Sequence, residues 1–162
     1  MNIFVVIPAY NEEERIRQVL DDLSLLPYKI VVVDDASVDK TSEIVATYPN
    51  VVLLRHRLNR DQGAALQTGN QYALARGADL IVHFDADGQF LSKEIEEDIQ
   101  PILEGNYDIV FGSRFLEKKS DIPAFKKKII FPLAKLENRV FLGIKTSDPQ
   151  SGFRAMTREV AE

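Results

Sequence analysis

A chain of 162 residues, 45% hydrophobic and 28% charged, is long enough for one globular domain with a sizeable core. It has no cysteine, which excludes a disulfide framework and a thiolate metal site, and its apolar runs are too short to span a bilayer. The net charge of −5 hides an asymmetry, because Arg114 to Lys145 holds nine basic residues and three acids, a net of +6 that leaves −11 for the rest. An acidic body with one basic segment argues against nucleic-acid binding and for a local anionic partner.

The amino terminus leads directly into a strand-like run rather than a signal peptide, so a cytoplasmic protein is expected. Asn2 to Ile7 is apolar and ends at Pro8; a polar loop, Pro8-Ala9-Tyr10-Asn11-Glu12, precedes Ile16, Val19, Leu20 and Leu23 at helical spacing. Lys29 to Val33 predicts a second strand, ending in Asp34-Asp35-Ala36-Ser37, with Ser37 as the expected cap of a helix through Ile44, Val45 and Tyr48. Val51 to Leu54 is a third strand, and Asn59-Arg60-Asp61-Gln62-Gly63 leads into an alanine-rich helix to about Arg76. Leu80 to Phe84 is the fourth, followed by a helix from about Ser92 to Glu104 and a fifth strand, Tyr107 to Phe111. Alternation of this kind predicts an α/β fold, a Rossmann-like, mostly parallel sheet with helices on both faces. Polar residues at the carboxyl ends of strands one, two and four mark the edge where such sheets place ligands. No Gly-x-Gly-x-x-Gly follows the first strand and no Gly-x-x-x-x-Gly-Lys occurs, which removes support for a dinucleotide Rossmann site and a P-loop.

The fourth strand stops abruptly in Asp85-Ala86-Asp87-Gly88-Gln89. Alternate residues of an extended chain share a face, so Asp85, Asp87 and Gln89 can approach one object. Two carboxylates and an amide oxygen suit Mg²⁺ or Mn²⁺; the competing interpretation is a surface turn rich in Asp and Gly. Farther on, Phe125, Ile129, Leu133, Leu136 and Val140 form a helical stripe flanked by Lys126 to Lys128, Lys135 and Arg139, with Pro132 to kink it. That stripe suits either an ordinary amphipathic helix or one lying on an anionic membrane surface. Thr146 to Arg154 is polar and turn-rich.

Together Val6-Ile7-Pro8-Ala9-Tyr10-Asn11-Glu12, Val33-Asp34-Asp35-Ala36-Ser37, Asp85-Ala86-Asp87-Gly88-Gln89, Gly112-Ser113-Arg114 and Asp148-Pro149-Gln150-Ser151-Gly152-Phe153-Arg154 resemble family 2 glycosyltransferases of the GT-A fold. Within that family the chain is most similar to dolichol-phosphate and polyprenyl-phosphate sugar synthases. The resemblance covers residues 1–162 as one domain, with a nucleotide-sugar-binding half, 1–113, and an acceptor-side segment, 114–162. Those synthases usually continue past the Ser-Gly-Phe-Arg stretch, so it also implies a C-terminally short form.

The resemblance implies a GDP- or UDP-sugar donor whose base and ribose are held by Pro8, Ala9, Tyr10, Glu12, Val33 and Asp35. It implies that Asp85, Ala86 and Asp87 lie beside the diphosphate, that Asp85, Asp87 and Gln89 surround Mg²⁺ or Mn²⁺, and that Arg114 faces phosphate. Ser151 and Arg154 belong to a stretch near sugar and acceptor, where the guanidinium fork of Arg154 suits phosphate. The implied reaction is metal-dependent, inverting transfer to a polyprenyl phosphate by an enzyme peripheral to the cytoplasmic face of a membrane. A lipid phosphate needs no strong base; a saccharide or protein hydroxyl would, and Asp148 is then the candidate. Two other readings stand beside this one, a donor-binding fragment without activity and a haloacid-dehalogenase-like phosphatase built on Asp85-x-Asp87-Gly88.

Overall fold

The computed structural model describes residues 1–86, 94–112 and 153–162. The chain divides into two compact units, Met1–Val110 with Phe153–Glu162, and Phe111–Gly152. The first contains nearly all of the described residues. The basic stripe from Phe125 to Val140 lies outside them.

Six strands, β1 (Ile3–Ala9), β2 (Lys29–Asp34), β3 (Val51–Arg55), β4 (Leu80–His83), β5 (Ile109–Phe111) and β6 (Arg154–Thr157), form one sheet in the order β3-β2-β1-β4-β6-β5. The helices are α1 (Ile16–Leu23), α2 (Thr41–Val45), α3 (Asp61–Ala75), α4 (Glu94–Leu103) and α5 (Arg158–Ala161). Strands β1 to β4 pair in parallel, β1 lying between β2 and β4. Each of β1, β2 and β3 is followed by a helix, which supplies the crossover that parallel pairing requires. The strand order reverses at β1, so the carboxyl ends of β1 and β4 flank the crevice where an open α/β sheet takes its ligand.

Strand β6 is a finding that the turn-rich composition around Arg154 did not announce. It runs antiparallel to β4, Leu80 opposite Thr157 and His83 opposite Arg154. Its four residues become a strand through that distant pairing, which local pattern does not register.

Side-chain parity divides the core into two layers. Val5, Ile7, Val32, Leu80, Val82 and Phe84 face one way, with Ile16, Leu20 and Leu23 of α1 and Ile95 and Ile99 of α4. Phe4, Val6, Val31, Val33 and Ile81 face the other way, beneath α3. Helix α3 meets the sheet through Ala65, Gly69 and Ala73, one small residue per turn. A Cβ added at Gly69 would stand 2.2 Å from Val6 Cγ1 and 3.3 Å from Val33 Cγ2, so the buried valine side chains of β1 and β2 leave no room for a methyl group. Gly69→Ala is therefore expected to destabilise the protein by about 1–3 kcal/mol through overpacking, read as a lower urea midpoint at unchanged m-value.

Ser37 does not cap α2. Helix α2 begins at Thr41, whose N–H and hydroxyl both donate to Asp39 Oδ1 (2.9 and 2.6 Å). Ser37 lies in the preceding loop, where its Oγ accepts the Asn11 N–H at 3.0 Å.

Among the described residues no helix is long and apolar enough to cross a membrane.

Candidate active site

The loops after β1 and β2 are tied to each other in both directions. From the first loop, the N–H groups of Asn11, Glu12 and Glu13 donate to Ser37 Oγ (3.0 Å), Thr41 Oγ1 (2.8 Å) and Asp39 Oδ2 (3.1 Å). In return Val38 N–H donates to Asn11 Oδ1 and Lys40 N–H to Glu13 Oε2, both at 3.0 Å. At their base Asp35 N–H donates to Ala9 O at 2.8 Å. Backbone groups that no helix or strand can satisfy thus find side-chain partners, and a loop pair without regular structure is held in one shape.

Strain collects at the same edge. Among the described non-glycine residues, positive φ occurs at Asn11 (56°), Ala36 (65°) and Asp61 (68°), one in the loop after each of β1 and β2 and one at the start of α3. Such conformations persist only where their surroundings enforce them, and they concentrate at functional sites.

These segments enclose a cleft of about 410 Å³, lined by Pro8, Ala9, Tyr10, Glu12, Asp35, Asn59, Asp61, Gln62, Ala65, Asp85 and Ala86. Pro8, Ala9, Tyr10, Glu12, Asp35, Asp85 and Ala86, which come from three distant parts of the chain, meet there. Val33 sits apart, fully buried with its side chain in the layer beneath α3. Asp87, Gln89, Arg114, Asp148 and Ser151 lie outside the described residues.

The two adjacent acids at the end of β2 do different work. Asp34 is fully buried and ties its own loop together: Oδ1 accepts the Ser37 N–H at 2.9 Å, while Oδ2 takes the Ser42 hydroxyl and Arg55 Nε (3.0 Å). Asp35, one residue beyond the strand, forms part of the cleft wall. Its carboxylate accepts the Arg60 N–H with both oxygens, each at 3.0 Å, and Oδ1 also meets His56 Nδ1 at 2.6 Å. Across the cleft, Gln62 Nε2 donates to Asp85 Oδ1 at 2.9 Å, which orients that carboxylate from the first turn of α3.

Asn59, Asp61, Gln62 and Ala65 were not among the expected site residues. The signal was present: a polar run, Asn59 to Gly63, between the third strand and its helix, at the same sheet edge as the other loops.

Arg154 lines a second hollow of about 380 Å³, with Gly63, Gln67, Asn70, Gln71 and His83 in its wall, rather than the cleft that holds Asp85. His83 is buried there; its Nε2–H donates to Asn70 Oδ1 at 2.8 Å, and Nδ1 has no partner among the described residues. Burial, then the charge of Arg154, push its pKa down from 6.5 to about 4. The folded protein thus keeps His83 neutral at pH values where the unfolded chain protonates it. This contribution to stability is full above pH 6.5 and is lost as pH falls toward 4, by about 3 kcal/mol. Urea melts from pH 4 to 7 are expected to give a steeper loss on acidification for the wild type than for His83→Gln.

The sequence matches the profile of glycosyl transferase family 2 over residues 4–162. The chain belongs to glycosyltransferase family 2. It is 44% identical to an uncharacterised protein of Methanocaldococcus jannaschii, over 99% of this chain and 66% of that protein. It is 34% identical to the UDP-N-acetylglucosamine–dolichyl-phosphate N-acetylglucosaminyltransferase of Methanococcus voltae, over 96% of this chain and 69% of that enzyme. Among solved structures, glucosyl-3-phosphoglycerate synthase of Mycobacterium tuberculosis, in complex with Mn²⁺, UDP-glucose and phosphoglyceric acid, superposes with a TM-score of 0.74 at 22% identity. That match covers 98% of this chain and 57% of the synthase, and it shows the GT-A fold. The family 2 chain therefore spans roughly two thirds of these two sequence relatives and just over half of that structure. Family membership also removes the phosphatase reading of Asp85-x-Asp87-Gly88.

Proposed function

We propose that the cleft binds a nucleoside-diphosphate sugar, and that the protein transfers the sugar with inversion to a polyprenyl phosphate. The observation that carries this reading is the convergence, at the switch point of the sheet, of Pro8 to Glu12 and Asp35 on one side and Asp85 with Ala86 on the other. The first group offers a ring-sized wall with an acceptor carboxylate for base and ribose. The second offers a carboxylate where a diphosphate would lie. The dolichyl-phosphate acceptor for which the Methanococcus voltae relative is named supports the acceptor class. So does the basic stripe between Lys126 and Arg139, whose lysines and arginine suit an anionic lipid surface and make a peripheral membrane position part of the proposal.

The donor chemistry also fits Mg²⁺ or Mn²⁺. Asp85 presents hard carboxylate oxygen just past β4, partly open to the cleft and steered by Gln62, and the sequence supplies two more oxygen donors, Asp87 and Gln89, within the next four residues. When bound, such a cation would neutralise charge that builds on the departing diphosphate. The chain's own residues do the rest: Asp35 and the β1 loop fix the nucleoside and Arg114 is assigned to acceptor phosphate, whereas Arg154, in the wall of the second hollow, is given no part in the cleft. A lipid monophosphate is already anionic near neutral pH and attacks in line without a strong base.

Incubation of the full-length protein with labelled UDP- and GDP-sugars, Mn²⁺ and dolichyl phosphate tests this directly. Label is expected in an acid-labile lipid fraction. Label moving only to saccharide hydroxyls would replace the acceptor assignment, and would bring Asp148 forward as a base.

A further inference from the structure

We propose that His56, a residue outside the cleft lining, is a positioning residue that turns Asp35 into a single-oxygen acceptor and thereby favours uracil over guanine in the donor. The inference rests on the donor-site reading above and names the base that site takes.

His56 follows β3 directly and is nearly enclosed, its side chain 10% exposed. Its backbone N–H donates to Asp34 O at 2.9 Å, which anchors it beside the end of β2. The ring bridges two elements, with Nδ1 2.6 Å from Asp35 Oδ1 and Nε2 2.8 Å from Thr68 Oγ1 on α3. Thr68 Oγ1 also lies 2.9 Å from Ala64 O, the usual helical acceptor four residues back.

A threonine hydroxyl has one hydrogen. If Thr68 gives it to Ala64 O, its oxygen accepts from His56 Nε2–H, and the 2.6 Å approach of Nδ1 to a carboxylate oxygen then requires a second proton between them. If Thr68 turns its hydrogen to Nε2, then Nδ1 carries the ring proton. Both arrangements put a proton between Nδ1 and Asp35 Oδ1. Arg55 does not compete for this carboxylate, because its Nε binds Asp34 and its Nη2 donates to Ser37 O at 2.9 Å.

Oδ1 of Asp35 therefore serves both His56 and the Arg60 N–H, which uses its lone-pair directions. Oδ2 shares only that Arg60 N–H and keeps one direction for a ligand. Guanine presents adjacent N1–H and N2–H donors, which pair best with two carboxylate oxygens at once. Uracil presents a single imide N–H. A carboxylate with one oxygen committed fits the second base, and leaves part of the first unpaired beside a buried acid, a costly outcome.

The test is calorimetric binding of UDP and of GDP to full-length wild type, His56→Asn and His56→Gln. Asparagine keeps a donor where Nδ1 stands and loses the reach to Thr68; glutamine extends toward Thr68 and vacates the Nδ1 position. We expect the wild type to prefer UDP, the Asn variant to retain that preference, and the Gln variant to bind UDP about tenfold more weakly with the preference reduced. Equal losses in both variants with equal drops in melting temperature would make His56 a packing residue and overturn the proposal. A wild-type preference for GDP would also overturn it while leaving the donor site intact, and binding of neither nucleotide would instead sink the donor reading beneath it. Independently of any ligand, ¹⁵N spectra at pH 7 are expected to show a protonated His56 Nδ1 that changes in Asp35→Asn; an unprotonated Nδ1 in the wild type contradicts the geometry argued here.

Discussion

Asp85→Asn in the full-length protein is expected to lower sugar transfer by about 10³-fold or more while leaving the melting temperature close to the wild-type value. The two halves of that expectation have different origins. Asp85 stands just past β4, partly open to the cleft, and Gln62 Nε2 holds its Oδ1 from α3. Asparagine is nearly isosteric and its amide oxygen can keep the bond from Gln62, so little folding energy changes. What it loses is the formal negative charge at the strand end, on which the proposed retention of a divalent cation beside the diphosphate would depend. A kinetic comparison with a parallel thermal melt separates the two effects, and activity within tenfold of wild type would remove Asp85 from the reaction.

Asp34→Ala is expected to do the reverse, unfolding the protein more readily without touching the cleft surface. Asp34 is fully buried, and its two oxygens take the Ser37 N–H, the Ser42 hydroxyl and Arg55 Nε. Removing the carboxylate leaves a loop N–H and a hydroxyl without their acceptor. The Arg55 side chain is 55% exposed and can turn to water, so its share of the loss is small. The remaining contacts are worth about 3 kcal/mol, or a fall in melting temperature of about 10 °C for a protein of this size. Asp34→Asn, which preserves an acceptor, should recover part of it. A melting temperature within about 2 °C of wild type, roughly a fifth of that shift, would show that the β2 loop draws its order from elsewhere.

The alternation of strands and helices was readable because β1 to β4 are short runs rich in Val, Ile and Leu, separated by polar loops, a pattern set by local sequence. β6 escaped because Arg154 to Thr157 is a strand only by virtue of its pairing with Leu80 to His83, some seventy residues earlier. Val33 illustrates the limit of a motif: it belongs to the stretch that carries Asp35, yet strand parity turns its side chain into the core beneath α3. Asp34 and Asp35 are indistinguishable by composition, and only the end of β2 between them separates a buried anchor from a cleft wall. Asn59 to Gln62 was passed over as a lead-in to a helix, although it occupies the same sheet edge as the loops that were identified. His56 gave no local signal at all, since its meaning lies in contacts with Asp35 and Thr68 that exist only in the fold.

The proposed metal-assisted nucleotide-sugar site between the carboxyl ends of β1 and β4 is tested by the thermal shift of the full-length protein with UDP or GDP, with and without Mn²⁺. Ligand bound only to the native state at 100 times its Kd adds about 2.7 kcal/mol. A rise of about 5–10 °C is expected with at least one nucleotide, dependent on Mn²⁺ and absent in Asp85→Asn. A shift that is indifferent to Mn²⁺ and to Asp85, or no shift with either nucleotide, would contradict it.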